Sequence, residues 1–509
     1  MQSFRLCTYL NNRDTRKFLL TTYTKMDSVF KYHSIFTCCQ MLMKIYFTTL
    51  LINYRKMKKL LLLLTSFCLF ACSGADMYNV EGVSKSKESN SLNQNVQLSV
   101  KQAEAYANLF SKGFDTNDIS EEDKNKTRAI ASTNEGRTIH DVNYIIEGAD
   151  TLLYAVNYDN DKGFVILSGA NNAFPVIAHS SVGNVYLNEI SPDNPLSLTI
   201  EAYKERAKDA LNDTTAIHSV YFDEWKDLGK KGYEYEIELS DDEPKPEASQ
   251  TRSSRRKSSS GKKSIYPYTG KDLNYWCQED GYNFYATNKY PIGCPAIATG
   301  MLMYDTSQRI LGNFQSTYPS FSYTDKSDLK NVTTGTELAK KLRQIADSIP
   351  GYNFGKNGSG ATPGNILIGL HKLGYKKAQL VQYDFEKLYE NLQFKGIDYF
   401  GKETTFNRGV LIVAYKKTGS GHIWFCDGYY EQSYTVTKKF IGIKVKSWKE
   451  YDDRLYMNWG WGRNGGNGWY SATDNDVWSS LDTKKSYYLK YQPKMFINLS
   501  YYEYPQNAF

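Results

Sequence analysis

Apolar and polar residues alternate in two rhythms along this chain, and the change of rhythm marks its parts. Between Ser99 and Lys112, Ala103, Ala105, Tyr106, Leu109 and Phe110 recur at helical spacing. Three strand-like stretches follow at 142–147, 152–158 and 163–168. The run Asp159-Asn160-Asp161-Lys162 is a turn signal between the last two. A further apolar block at 174–178 and a helix over 196–211 complete a unit ending near Trp225. Helical patterns return at Cys294, at 336–349 and at 364–373. Strand patterns then occupy 410–415, 422–430, 440–445, 456–459 and 468–471. Helices first and an antiparallel sheet after them predict an α+β domain at the C-terminal end.

Other stretches read as connections and addresses. Met57-Lys58-Lys59 precedes an apolar run too short to span a bilayer, ending Leu69-Phe70-Ala71-Cys72. That is the form of an export signal, and its ending resembles a bacterial lipoprotein signal with Cys72 as the lipidated residue. A signal belongs at an N-terminus, so translation is expected to start at Met57, with 1–56 a mis-annotated leader and 57–72 the signal peptide. Residues 73–97 read as a tether, 98–230 as one folded unit, 231–264 as a linker and 265–509 as a second folded unit. The linker is acidic and then basic. No large apolar residue lies between Pro244 and Ser264 to offset its ordering entropy, so it is also a candidate cleavage segment.

Composition narrows the chemistry. A content of 42 Tyr and 8 Trp suits half-buried sheets. The net charge of +7 is spread without a basic stripe among aromatics, so no nucleic-acid partner is expected. No phosphate-binding glycine loop, zinc-peptidase helix or Cys-x-x-Cys pair occurs, and neither cofactor nor metal is expected. Beyond the lipidation site the exported chain holds only Cys277, Cys294 and Cys426, as one bridge plus a free thiol or as three free thiols.

Cys294 follows Gly293 and precedes Pro295, a residue suited to the first position of a helix. A thiol there is either an inert buried group or one whose thiolate the helix dipole favours. His422 sits at the mouth of an alternating strand after a Gly-rich loop ending in Gly421, where an imidazole stays partly wet and can act as a base. Cys426 shares its face but lies about 13 Å along the strand. Asn458 precedes Trp459-Gly460-Trp461-Gly462, either an aromatic corner or an imidazole-orienting amide shielded by indole.

In this order the segments resemble the streptopain family of papain-like bacterial cysteine peptidases. The matching motifs are Gly293-Cys294, Gly421-His422 through Asp427-Gly428, and Asn458 through Gly462, with Trp276-Cys277-Gln278 upstream. Tyr154 to Ser168 is similar to that family's inhibitory propeptide. The resemblance implies a papain-like two-lobed domain, a helical lobe plus a sheet or barrel lobe, behind an α+β propeptide. It implies a surface-anchored endopeptidase (hydrolase) made as a zymogen, acting on polypeptides through a Cys-His dyad and a thioester. Cys294 would be nucleophile, His422 general base and acid, Asn458 the orienting residue and Gln278 an oxyanion donor. Ser359, Gly360, Gly421, Trp459 and Trp461 would contact substrate. The partners implied are polypeptide substrates, the chain's own propeptide and a membrane reached through the lipid anchor. Pro295 departs from the family pattern and removes one backbone donor from the oxyanion site. A Cys-His amidase or acyl transferase acting on cell-wall peptides is the alternative enzyme; a catalytically impaired lipoprotein with a binding role is the non-enzyme.

Overall fold

The computed structural model describes residues 96–114, 137–172, 175–213, 220–239, 264–265, 273–309, 335–397, 403–416, 419–472 and 491–499. Helix α1 is Val100–Phe114; strands β1 to β4 are Ile139–Glu147, Asp150–Tyr158, Phe164–Ser168 and Val176–Ser180; helices α2 and α3 are Leu196–Asn212 and Val220–Trp225. Strands β5 (Tyr233–Leu239) and β6 (Ser264–Ile265) lead to helices α4 (Cys294–Arg309), α5 (Glu337–Ser348) and α6 (Pro363–Lys372). There follow β7 (Gln379–Gln382), α7 (Phe385–Asn391), β8 (Gln393–Ile397), β9 (Glu403–Asn407), β10 (Val410–Tyr415), β11 (Gly421–Phe440), β12 (Ile443–Asn458), β13 (Gly468–Ser471) and β14 (Lys494–Ile497).

One twelve-stranded sheet runs β1-β2-β3-β4-β13-β12-β11-β10-β14-β7, with β5 and β6 also paired to β11. The described strands and helices, between residues 96 and 499, group as one compact unit. Period-2 alternation explains how this sheet is clad on both faces. Leu411, Val413, Ile423 and Phe425 point to the face covered by α4, α5 and α6; Val410, Ile412, Ala414, Trp424 and Cys426 point to the other. On β2 and β3 the same rule sends Ala155, Phe164 and Ile166 toward α2, and Tyr154, Val156, Val165 and Leu167 toward α1 and Trp225. Thr336 and Thr362 cap α5 and α6 by accepting from the amides of Ala339 and Asn365. Gly300 lets α4 approach its neighbours, since a Cβ there would lie 2.7 Å from Leu342 and 3.0 Å from Trp276.

The expected papain-like two-lobed architecture behind an α+β propeptide is corrected here. The described chain is mostly antiparallel sheet with few helices, and both halves contribute strands to a single sheet: β4 pairs with β13 and β5 with β11. Residues 233–239, expected in the linker, form β5, because Tyr233, Tyr235 and Ile237 alternate with Glu234, Glu236 and Glu238. The strand expected over 440–445 instead crosses the turn of the β11–β12 hairpin, where Ile441 and Gly442 have positive φ. The leader, the signal with Cys72, most of the tether and the expected cleavage segment lie outside the described residues.

A buried polar cluster joins the halves. Arg454 on β12 donates to both carboxylate oxygens of Asp452, and to the carbonyls of Val176 and Ile177 at 3.1 and 3.0 Å. Tyr430 donates to Asp452 at 3.1 Å, and its hydroxyl lies 2.9 Å from His179 Nε2. Burial, then the positive charges of Arg454 and Arg137, hold the His179 imidazole well below its ordinary pKa. The unfolded chain takes up a proton near pH 6.5, in the ordinary range of histidine, whereas the folded chain resists it. This group therefore contributes stability above about pH 6.5 that is lost as pH falls below it. The urea midpoint should drop between pH 7.5 and 5, and His179→Asn should flatten that dependence; an unchanged slope in the variant would refute the assignment.

Candidate functional site

Cys294 opens α4 after Gly293, whose φ of +94° turns the chain sharply into the helix. A side chain at 293 has no room: its Cβ would lie 2.4 Å from both the Ser359 carbonyl oxygen and the Tyr352 hydroxyl. Tyr352 in turn donates to the Ile292 carbonyl at 2.6 Å, so the turn before Cys294 is braced from both sides. The thiol is buried, 8% exposed, and burial pushes its pKa up to about 11. The amides of Ile423 and of Cys294 itself work against that rise, and the Asp193 carboxylate adds to it. The Ile423 amide belongs to the residue after His422, and Asp193 acts on both groups, so thiol and imidazole border the same space around Asp193, the crevice between α4 and β11.

Among the described residues no hydrogen bond joins His422 to Asn458. The His422 Nε2 lies 2.9 Å from the Pro192 carbonyl and, since a carbonyl only accepts, carries the proton. Burial lowers the imidazole pKa; the Pro192 carbonyl and the Asp193 charge oppose the shift, and Lys416 adds to it. Asn458 Oδ1 accepts from the Gly460 amide at 3.1 Å, and its Nδ2 is buried without a partner among the described residues. Gln278 accepts the Ile292 amide through its backbone carbonyl, and its Nε2 is likewise buried without a partner among the described residues.

The remaining expected contacts divide. Ser359 and Gly360 lie against Gly293 and Pro295, the neighbours of Cys294: the Ser359 hydroxyl accepts from the Gly355 amide, and Gly360 pairs with Asn353. Gly421 is exposed at the start of β11 and packs closely on Tyr415. Trp459 is a core residue, donating to the Gly466 carbonyl and packed on Trp424 and Tyr470. Trp461 is half-buried and crowds Gly465. Cys277, Cys294 and Cys426 are all free thiols, and Cys426 is fully buried. Among the described residues no three His, Cys, Asp or Glu side chains are placed to hold a metal ion.

Sequence reasoning missed the residues that fill the crevice. They lie between β4 and α2, in Ser191-Pro192-Asp193-Asn194, a stretch whose only local mark is its turn composition. Its position is held from both ends. Asn194 caps the Leu196 amide through Oδ1 and donates through Nδ2 to the Gly465 carbonyl at 3.1 Å. Upstream, the Asn184 amide donates to Asn464, and Gly183 fits against the Arg463 carbonyl. Arg463 also forms an ion pair with Asp161. Asp193 reaches the glycine loop as well, with Oδ1 3.5 Å from where a Cβ on Gly358 would stand.

The Spi protease inhibitor family matches residues 95–207, which take in this segment and end before Cys294 and His422. No curated protein matches the chain. The family match overturns the expectation built on the streptopain resemblance. It supports a protease inhibitor rather than an enzyme, so the cysteine endopeptidase, and with it hydrolase, protease and thiol protease, is withdrawn. The amidase, acyl-transferase and impaired-lipoprotein alternatives gain no support from it either. The geometry shows why motifs misled: Pro192 and Asp193, invisible to any motif near Cys294, hold the imidazole and face the thiol. What the match does fit is the coarser expectation of a polypeptide partner.

The brace around Gly293 is testable without any assumption about function. Gly293→Ala should cost about 1–3 kcal/mol in urea unfolding, because positive φ and two close oxygens both oppose a Cβ. Tyr352→Phe, which loses a single hydrogen bond, should cost about 1 kcal/mol.

Proposed function

We propose that this protein is an inhibitor-type binder of proteases, and that Ser191 to Asn194 is the segment that lies in a protease crevice. The family match over 95–207 is the observation that carries this reading. The position of the segment supports it and suggests the chemistry of the target. A carbonyl on an imidazole and a carboxylate beside a thiol complement a Cys–His pair. The thiolate is the reactive form of cysteine; burial under such a segment disfavours it first, and the carboxylate adds to that. A segment of this kind therefore quiets a thiol protease by keeping the sulfur protonated and the imidazole engaged.

Within this chain the same segment acts as an intramolecular cover for Cys294 and His422. In this proposal Cys294 and His422 are a shielded thiol–imidazole pair. Gln278 and Asn458 supply amide donors beside it, and Ser359, Gly360, Gly421, Trp459 and Trp461 form its surroundings. Full-length protein should inhibit a thiol protease, and Pro192→Gly with Asp193→Ala should weaken that inhibition. The same double variant should speed iodoacetamide labelling of Cys294 by about tenfold or more, the effect of one pKa unit on thiolate content. Cys294→Ala should abolish that signal. Inhibition unaltered by the double variant would remove the segment from the mechanism, and unchanged labelling would remove the intramolecular cover.

Export with acylation at Cys72 is part of the same proposal, supported by the signal-like segment at 57–72. Palmitate incorporation in expressing cells should be lost in Cys72→Ala.

A further inference from the structure

The β11–β12 ribbon ends in an exposed turn that the protease-binding reading leaves unexplained. Residues 440–446 are all exposed, among them Phe440 at 41%, Ile441 at 71%, Ile443 at 72% and Val445 at 58%. Behind them the ribbon is anchored in a core that holds Tyr434 and Val436, with Trp448 and Ile237 packed against it. The tip is therefore a firm protrusion carrying aliphatic side chains into solvent.

Three features of this tip work against the stability of the fold. Aliphatic surface is left in water, where burial would have been favourable. Ile441 adopts φ +49°, a left-handed conformation costly for a β-branched residue at a turn that glycine or asparagine would make easily. Lys439 and Lys444 stand directly opposite each other across the ribbon, a like-charge pair that repels. Val445 is the extra residue of a bulge between the pairs Lys438–Lys446 and Lys439–Lys444, so it falls outside the register.

The charges around the tip favour one kind of partner. Lys439 binds Glu236 and Lys446 binds Glu224, while Glu234 stands opposite Lys439 in the register. Lys231 and Lys444 are exposed and have no ion pair among the described residues. Lys231 sits beside the tip, because the next residue, Gly232, accepts the Ile441 amide at 2.7 Å. Aliphatic side chains at a point, ringed by uncommitted lysines, match a surface that is anionic outside and apolar beneath. A stable protein interface needs about 800 Å² from each partner, more than a seven-residue tip presents, whereas insertion into a headgroup layer needs only the tip. A second copy of the chain would bring lysine against lysine.

We propose that the β11–β12 tip inserts into anionic phospholipid surfaces, Ile441, Ile443 and Val445 entering the interface and Lys231 and Lys444 meeting headgroup phosphates. The inference does not depend on the acylation of Cys72. It is tested with the full-length chain carrying Cys72→Ala, which cannot be acylated there. This protein should co-sediment with phosphatidylglycerol-containing vesicles and not with pure phosphatidylcholine vesicles, and the binding should weaken with salt. Ile441→Ser with Ile443→Ser should reduce partitioning by roughly tenfold or more, and Lys231→Glu with Lys444→Glu by roughly tenfold. Both pairs lie at the exposed tip, and matching thermal melts would establish that the variants are folded. Failure of the wild type to bind anionic vesicles overturns the proposal. So does loss of binding in the lysine variant alone, which would mean surface adsorption. A dimer that the serine variant dissolves would assign the tip to a second copy instead.

Discussion

The Arg454 guanidinium holds the sheet together at the narrow seam between its N-terminal and C-terminal strands. Strands β4 and β13 share only two registered pairs, Trp469 with His179 and Tyr470 with Ala178. So short a ladder gives little cooperativity to the point where the N-terminal and C-terminal strands meet. Arg454 reaches past β13 from β12 and donates to two carbonyls of β4, with Asp452 neutralising it from its own strand. A buried guanidinium is costly unless its donors are satisfied, and here the carbonyls that satisfy it belong to the other half of the molecule. The seam is thus specified by need: without β4 the arginine would be a buried charge with unspent donors.

Everything downstream of β4 inherits its position from that seam. The chain leaves β4 at Ser180, is tied to the 463–465 turn through Gly183, Asn184 and Asn194, and only then enters α2. Between those ties Pro192 and Asp193 have little choice but to face His422 and Cys294. The crevice is set by α4 and β11, whereas its contents are set by the link between β4 and α2. The family match falls on the contents and not on the crevice.

Much of the local structure was legible because apolar spacing states it directly. Strands β10 and β13 and helices α1, α2, α5 and α6 fall within a few residues of where periodicity puts them. Two readings failed for local reasons. The glutamates of β5 drew attention to charge and away from their strict alternation with Tyr233, Tyr235 and Ile237. The apolar turn Ile441-Gly442-Ile443 looked like strand because a turn seldom carries such residues. The failure of architecture, and the segment missed beside Cys294, were of another kind. Nothing near Cys294 foretells that β4 will join β13, or that Pro192 will lie 2.9 Å from an imidazole 230 residues later. Motif order along a chain records which side chains are present; it does not record which other segment will occupy the space among them.

Strand β11 also serves as a double clasp. On one stretch, Tyr434 to Phe440, it pairs with β5; on another, Tyr429 and Tyr430, it pairs with β6. The two partners are the last described strand before residue 240 and the first after 263. Severing the backbone anywhere between them would therefore create two new ends already fastened to the same rail. Continuity of the polypeptide and continuity of the sheet are separate properties here. Parting the halves would require β5 to peel away residue by residue, a mechanical event with its own barrier, whatever the state of the peptide bonds beyond it.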